Sequence, residues 1–254
     1  MNHHPLIRLA EALQSNQPAV LVTVIEVSGA SPAKAGAQIV LLQNGAIAGT
    51  VGGGKLEATI LTDAKAVLTD GKPRLGHYSL AEEGQDAIGT LCGGELRVFF
   101  QPYLPPPRLV LVGGGHIGQP LKVMGEAAGF EVLVVDVEPG RATVPGLDAI
   151  SITEDTYIVL ITTDHISDEA ALRQGIASPA RYVGMIGSQA KCRTILEHLK
   201  TDGIVEETLK RVYAPIGLDL GGSTPQEIAV AILAEVVAVR RGGSAEMRSR
   251  RPLP

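Results

Sequence analysis

The chain has 254 residues, a length that suits either one large domain or two modest ones. Hydrophobic residues make up 45% of it and charged residues 19%, proportions that are ordinary for a globular α/β protein. A net charge of -5 argues against a broad surface for duplex DNA or for an anionic membrane. The 3% aromatic content, without Trp, argues against stacking platforms for carbohydrate or single-stranded nucleic acid.

Three features of the sequence predict a cytoplasmic protein. Its apolar runs reach about ten residues, whereas a helix that spans a membrane needs roughly 20. The start, from Met1 to Pro5, lacks the charged and apolar parts of a signal peptide. Two cysteines, Cys92 and Cys192, are too few for a disulfide framework, so a reducing compartment is expected.

Residues 1–103 predict a small α+β domain. Apolar side chains recur at the spacing of one helix face over residues 55–70, and Gly71 stands where a helix-ending glycine belongs. Runs rich in β-branched or aromatic residues predict three strands, at residues 19–27, 38–42 and 95–101.

The next segment, residues 104–107, is predicted to be a linker. Leu104 is followed by three prolines, which lack a backbone donor and favour a stiff, extended chain. Beyond the linker, residues 108–242 predict a Rossmann-like domain, and residues 243–254 predict a flexible tail.

Strands and helices alternate in the second predicted domain. The strands are apolar without alternation, as strands buried on both faces are, and this predicts a doubly wound parallel sheet. A capping box at Thr224 opens the last predicted helix. The predicted strands are residues 109–112, 131–135, 157–161 and 182–186, and the predicted helices are 116–128, 167–177, 188–200 and 225–241.

A G-x-G-x-x-G turn follows the first of these strands and opens the first helix. Its glycines allow a tight turn, close approach of a pyrophosphate and close helix–strand packing, and an acid about 20 residues on can bind ribose hydroxyls. The alternative is a glycine turn inherited by a fold that no longer binds a dinucleotide. The predicted site comprises Gly113, Gly115, His116, Ile117, Gly118 and Asp136.

Further polar groups follow the third and fourth predicted strands, where ligands of open α/β sheets bind. Ser188 can cap its helix and leave N–H groups for a second anion, with Lys191 or Arg193 nearby. It can equally be an ordinary N-cap. The groups added to the predicted site are Asp164, His165, Gly187 and Ser188.

No catalytic set of the Ser/His/Asp type stands out in the sequence. His116 and His165 could converge with Asp164 on a metal ion, but two histidines without ligand spacing rarely bind one. We therefore predict neither a catalytic residue nor a metal site.

Two glycine turns in the first half are further candidates for ligand binding. The turn at Gly52, Gly53, Gly54 and Lys55 opens a helix and could cradle an anion, although it is not a Walker A motif. The turn at Cys92, Gly93 and Gly94 presents a thiol without bulky neighbours. Cys92 could instead be a small buried hydrophobe, and Cys192, on an apolar helix stripe, is predicted to lie in the core.

Several motifs in sequence order resemble the XdhC/CoxI family, the accessory proteins of molybdenum hydroxylases such as xanthine dehydrogenase. The resemblance covers nearly the whole chain. Two positions differ from many relatives, which carry cysteine at Gly54 and arginine at Lys34, so a sulfur-handling role is not implied for that turn. The matching segments are residues 28–36, 49–57, 92–94, 111–118, 163–168, 182–188, 215–219 and 224–229.

The resemblance implies a role in maturation. Such proteins bind molybdenum cofactor, a molybdopterin that carries a phosphate or, in its dinucleotide form, a nucleotide. They hold it while a cysteine desulfurase places the terminal sulfur on the metal, and then deliver it to the apo-hydroxylase. We also expect a homodimer.

Two other functions remain open at this point. An NAD(P)-dependent oxidoreductase would use the glycine turn and Asp136 for NAD, with His165 as the one plausible proton relay. A regulatory nucleotide-sensing module would use the same turn, but the first half of the chain would then be unneeded.

Overall fold

The computed structural model describes residues 4–81, 93–138, 140–162 and 165–245, in the last range without the side chains of residues 165–167. The chain divides into two compact units, Met1–Pro105 and Pro106–Pro254. No helix within the described ranges combines the length and the apolar character needed to cross a membrane.

In its described residues, 4–81 and 93–105, the first unit is an antiparallel sheet with two helices. The helices are α1 (Pro5–Gln14) and α2 (Gly54–Asp70). The strands are β1 (Ala19–Ser28), β2 (Gln38–Leu42), β3 (Ile47–Gly49), β4 (Arg74–Ser79) and β5 (Glu95–Tyr103). Their order in the sheet is β3-β2-β1-β5-β4, and every neighbouring pair is antiparallel.

The two faces of this sheet bury alternate residues of the same strands, because successive side chains of a strand point to opposite faces. Val20 and Val22 pack in one cluster with Ile60 of α2. Leu21, between them, packs in a second cluster with Leu9 of α1. The smaller α+β architecture predicted for this half is therefore confirmed.

The three predicted strands and the helix of this unit are present, but three short elements were not predicted. Helix α1 has only ten residues, with Pro5 at its first turn. Strand β4 contains Gly76 and His77 and buries only Tyr78, so it lacks the alternating apolar pattern. Strand β3 has three residues, too few for any periodicity.

The second unit is a parallel five-stranded sheet with helices on both sides. Its strands are β6 (Arg108–Val112), β7 (Glu131–Val135), β8 (Thr156–Leu160), β9 (Tyr182–Met185) and β10 (Val212–Tyr213). Its helices are α3 (Gly118–Ala127), α4 (His165–Ala177), α5 (Gln189–Thr201), α6 (Glu206–Leu209) and α7 (Pro225–Arg241), with a short 3-10 helix at Leu147–Ala149. The sheet order is β10-β9-β8-β6-β7, and all pairs are parallel.

Two separate hydrophobic clusters cover the faces of this sheet. Leu111 of β6 packs in one cluster with Leu121 of α3 and Ile232 of α7. Val110, its neighbour on β6, packs in the other with Leu172 of α4 and Ile195 of α5. Helices on both faces of a parallel sheet define a doubly wound fold, so that prediction is confirmed.

The boundaries differ from the prediction in ways that follow from local chemistry. Helix α3 begins at Gly118, two residues later than predicted, because the glycine turn continues through Ile117. The capping box at Thr224 is present: its hydroxyl accepts from the N–H of Glu227, and the Glu227 carboxylate accepts from the N–H of Thr224. The short elements α6 and β10 were not predicted.

Candidate functional site

The site in the second unit lies at the point where the order in which strands are added to the sheet reverses, from one side of β6 to the other. Strand β6 pairs with β7 on one side and with β8 on the other. A crevice therefore opens beyond the carboxyl ends of these strands, the place where open α/β sheets bind ligands. A cavity of about 620 Å³ occupies it, within the range of small-molecule sites. Its lining residues are Val112, Gly113, Gly115, Val135, Asp136, Val137, Glu138, Arg141, Pro145, Ile161 and Thr162.

The first and third glycines of the turn are required by the packing. Gly113 has φ of +117°, and a Cβ there would lie 2.6 Å from the carbonyl oxygen of Ile161. A Cβ on Gly118 would lie 2.2 Å from the carbonyl oxygen of Gly113. These two positions therefore hold the turn tightly against the ends of β6 and β8.

The second glycine, Gly115, faces open space. A Cβ at this position would meet no atom within 4 Å, and its φ lies outside the left-handed region. Within the described residues, the backbone N–H groups of Gly115, His116 and Ile117 have no hydrogen-bond acceptor. The His116 side chain is exposed, and Ile117 packs partly against the core. The turn thus offers donors and room to an anion.

Asp136 lies beside this turn and stabilises it. One carboxylate oxygen accepts from the N–H of Gly114 at 2.6 Å, and the other accepts from the N–H of Glu138 at 2.8 Å. The hydrogen bond from Glu138, helped by that from Gly114 and by the charge of Arg141, lowers the pKa of Asp136 against the opposing effect of burial. Each oxygen keeps a further lone pair, so an ionised Asp136 can also accept from a ribose hydroxyl.

The residues predicted after the third and fourth strands have varied surroundings. Asp164 lies outside the described residues, as does the side chain of His165, the first residue of α4. Ser188 is the N-cap of α5, and its hydroxyl accepts from the N–H of Lys191 at 3.2 Å. Gly187 lies where a Cβ would meet the Lys191 stem at 2.9 Å. Of the predicted set, the described cavity lining includes Gly113, Gly115 and Asp136.

Lys191 pairs with a residue that the sequence reasoning did not single out. Its ammonium lies 2.5 Å from a carboxylate oxygen of Asp168, whose side chain has no exposed surface. The other Asp168 oxygen accepts from the Thr162 hydroxyl at 2.6 Å. Asp168 stands in the first turn of α4, where acidic residues are common. The signal that could have identified it is its position on the apolar face of this helix, with Leu172 and Ile176.

The glycine turn of the first unit differs from the open cradle that was predicted. Gly52, Gly53 and Gly54 all have positive φ, and Gly53 is the N-cap of α2. One oxygen of Glu57 accepts from the Thr50 hydroxyl at 2.5 Å and from the N–H groups of Val51 at 3.0 Å and Gly53 at 3.2 Å.

The Glu57 carboxylate therefore already occupies much of this turn. Burial raises its pKa, but the hydrogen bonds from Thr50, Val51 and Gly53 outweigh that effect and lower the pKa overall. The side chain of Lys55 is exposed at the start of α2.

The second glycine turn of this unit is described only from Gly93 onward, and Cys92 lies outside the described residues. A Cβ on Gly94 would lie 2.2 Å from the carbonyl oxygen of Ala30, so this glycine lets two loops pack backbone to backbone. Cys192 is buried in α5, as predicted, and burial raises the pKa of its thiol. In the described part of the chain, no three His, Cys, Asp or Glu side chains are arranged to hold a metal ion.

Two family models match this chain, and each match falls within one of the two compact units. Residues 109–236 match the XdhC Rossmann domain, and residues 12–79 match the XdhC and CoxI family. The chain belongs to the XdhC and CoxI family.

Three curated relatives share between 24% and 31% of their aligned residues with this chain. The chain is 31% identical over 91% of its length to the uncharacterised Escherichia coli protein YqeB, but spans only 45% of that protein. It is 24% identical to PaoD of Escherichia coli, named as a molybdenum cofactor insertion chaperone, over 94% of this chain and 89% of PaoD. It is 26% identical to a Bacillus subtilis protein, named as a probable xanthine dehydrogenase component, over 57% of this chain and 46% of that protein.

A solved structure described as a xanthine dehydrogenase from Bacillus halodurans aligns over 98% of both chains, at 21% identity and a TM-score of 0.48.

Proposed function

We propose that this chain is a carrier that binds molybdenum cofactor and delivers it to an apo molybdenum hydroxylase. The observation that carries the proposal is its similarity to PaoD, named as a molybdenum cofactor insertion chaperone, over 94% of this chain and 89% of PaoD. Membership of the XdhC and CoxI family supports the same role. The bound group supplies a molybdenum centre that the hydroxylase, rather than the carrier, uses for catalysis.

The second unit fits the phosphate-bearing part of such a cofactor. The N–H groups of Gly115, His116 and Ile117 form a donor set for phosphate, and the bare Cα of Gly115 leaves the space that a phosphate needs. Asp136, kept ionised by its hydrogen bonds, would accept from the ribose of a nucleotide. We therefore propose that this chain takes the dinucleotide form of the cofactor, with its pyrophosphate on the turn.

We propose a sulfuration step on the carrier, served by a cysteine desulfurase. Cys92 is the thiol proposed to meet the sulfurated metal, because thiolate sulfur is a soft ligand and a persulfide acceptor. Cys192 is the matched control, since its thiol is buried with a raised pKa and is therefore a poor nucleophile. We also propose a cytoplasmic homodimer, which sedimentation equilibrium across a concentration series would test.

The decisive experiment is a comparison of ligands on the full chain. The protein is incubated with molybdenum cofactor released from a purified hydroxylase and, separately, with NADH and NADPH, and is then passed over gel filtration. We expect the cofactor to co-elute, by absorbance and mass, and the loaded protein to activate an apo-hydroxylase. Retention of a nicotinamide nucleotide alone, with no cofactor retained, would overturn the proposal in favour of an NAD(P)-dependent oxidoreductase.

The role of Cys92 is tested in the same assays. Cys92→Ser should keep the fold but lower cofactor retention or activation of the apo-hydroxylase. Cys192→Ser should leave both unchanged and cost some stability, because it buries a hydroxyl among apolar side chains. Wild-type behaviour of Cys92→Ser in both assays would remove the thiol from the mechanism.

A further inference from the structure

A buried ion pair lies next to the cavity without lining it. Asp168, with no exposed surface, accepts from the Lys191 ammonium at 2.5 Å and from the Thr162 hydroxyl at 2.6 Å. The Lys191 side chain is 17% exposed. Thr162 lines the cavity, so the carboxylate of Asp168 connects the cavity wall to two helices, α4 and α5.

The surrounding sequence makes room for this pair. The stem of Lys191 passes Gly187, where a Cβ would lie 2.9 Å from the lysine Cδ, backed by the Cys192 sulfur at 3.2 Å. Ser188 fixes the start of α5 and so the position of Lys191 along it. A Cβ at position 187 would therefore require the stem of Lys191 to shift.

Stability alone does not explain a charged pair at this place. Removing both charges from water costs several kcal/mol per ion, and apolar residues of similar volume often stabilise a fold as well or better. The residues next to the pair along the two helices, Leu172 of α4 and Cys192 of α5, belong to the apolar cluster on this face of the sheet. An apolar pair, however, could not accept the hydrogen bond that the Thr162 hydroxyl donates to Asp168.

We propose that Asp168 and Lys191 are positioning residues that fix Thr162, and with it the carboxyl end of β8, as a wall of the ligand cavity. Ligand binding then depends on two residues that do not line the cavity. This inference rests on the proposed function in one respect only, that the cavity is where the nucleotide part of the cofactor binds.

Two backbone hydrogen bonds report on this wall without any ligand. The N–H of Ile161 donates to the carbonyl of Val112 at 2.8 Å, and the N–H of Ile186 donates to the carbonyl of Leu160 at 2.9 Å. Both join the carboxyl end of β8, which Thr162 follows, to a neighbouring strand of the sheet. If the pair holds this end of β8, its loss should speed amide hydrogen exchange here more than elsewhere in the sheet.

The test uses Lys191→Met, Asp168→Asn and Thr162→Val in the full chain, with cytidine diphosphate and guanosine diphosphate as probes in calorimetric titration. We expect each variant to weaken binding roughly ten-fold, in the range seen for residues that act through another. Thr162→Ser, which keeps the hydroxyl that Asp168 accepts from, should weaken binding less than Thr162→Val does. Lys200→Met is the matched control, since Lys200 lies on the same helix in an exposed pair with Glu206 at 3.0 Å.

The outcomes separate the two proposals. If the wild type binds neither probe, the proposed nucleotide site fails, and the exchange of the Ile161 and Ile186 amides still decides the positioning role. Faster exchange at these amides alone supports that role. Equal acceleration throughout the sheet, or probe binding by Lys191→Met and Thr162→Val that matches the wild type, would overturn it.

Discussion

The glycine turns at residues 52–54 and 113–118 resemble each other in sequence, and each precedes a helix and contacts a carboxylate from its own chain. They differ in how many donors that carboxylate takes. Glu57, in the first turn of α2, collects the Thr50 hydroxyl and two N–H groups on a single oxygen. Asp136, directly after the neighbouring strand β7, accepts from one N–H of its turn, that of Gly114.

The difference follows from where the acid stands. Glu57 belongs to the helix that the turn opens, so its side chain reaches back into the turn as in a capping box. Asp136 approaches from the side, and the N–H groups of Gly115, His116 and Ile117 keep no acceptor among the described residues. Of these three residues, Gly115 lines the cavity. The two turns therefore differ in how many of their donors a carboxylate of the chain itself already takes.

The largest expected effect is at Gly115. Gly115→Val should weaken nucleotide binding by about 100-fold or more, because its side chain would fill the space of the phosphate. Its melting temperature should stay near that of the wild type, since a Cβ meets no atom there. Gly118→Ala is the contrasting variant: its Cβ would lie 2.2 Å from the Gly113 carbonyl oxygen, so it should melt much earlier. Full-strength binding by Gly115→Val would exclude the turn from the site.

The second effect concerns the filled turn. Glu57→Ala should lower the free energy of unfolding by about 2 kcal/mol, because it leaves the buried N–H of Val51 without its acceptor. Added sulfate should stabilise this variant more than the wild type, since the emptied turn can take an anion. The control is Glu26→Ala, which removes an exposed pair with Arg97 and should cost less than about 1 kcal/mol. Urea titrations measure all three proteins.

The third effect tests the acid of the open turn. Asp136→Asn should weaken the binding of a nucleoside diphosphate by about 1.5 kcal/mol, the lower end of the range for hydrogen bonds to charged groups, since the amide keeps one acceptor oxygen. Inorganic pyrophosphate, which has no ribose, should bind as it does to the wild type. Equal losses for both ligands in calorimetry would mean that Asp136 acts by shaping the turn through Gly114.

The smallest effect is the pH dependence of stability. The folded-state pKa of Glu57 lies below its ordinary value of 4.5, so its contribution is complete above that pH and is lost as the pH falls through the folded-state pKa. Wild-type unfolding free energy should therefore drop more steeply below pH 4.5 than that of Glu57→Gln. The measurement is a series of urea titrations from about pH 3 to 6. If the free energy of unfolding falls equally steeply with pH for both proteins, the stabilising role of ionised Glu57 is contradicted.

Much of the fold could be predicted because periodicity reports burial directly. The apolar runs at β6 and β8 indicated strands covered on both faces, and Gly71 marked the end of α2. Elements shorter than a full period, such as β3 and β10, carry no such signal.

The site was harder to predict, because its donors and acceptors are assigned by contacts distant in sequence. The three glycines and Asp136 are readable from spacing, but the partner of the Asp136 carboxylate, Gly114, is not. The pairing of Asp168 with Lys191 joins two helices separated by β9, so no local pattern reveals it. Glu57 carries a weak local signal, because it stands four residues beyond the N-cap glycine, one position later than the acid of a capping box.

Val137, directly after Asp136 at the rim of the cavity, has 93% of its surface exposed. An exposed aliphatic side chain at the mouth of a cavity can pack against one face of a planar ring. The other face of the ring then stays exposed to solvent. Under the proposed carrier function, a ligand held this way would remain within reach of the receiving hydroxylase, which could bind it before the carrier releases it. Transfer would then proceed through a ternary complex, and its rate should rise with the concentration of the receiver instead of levelling at the rate of spontaneous dissociation.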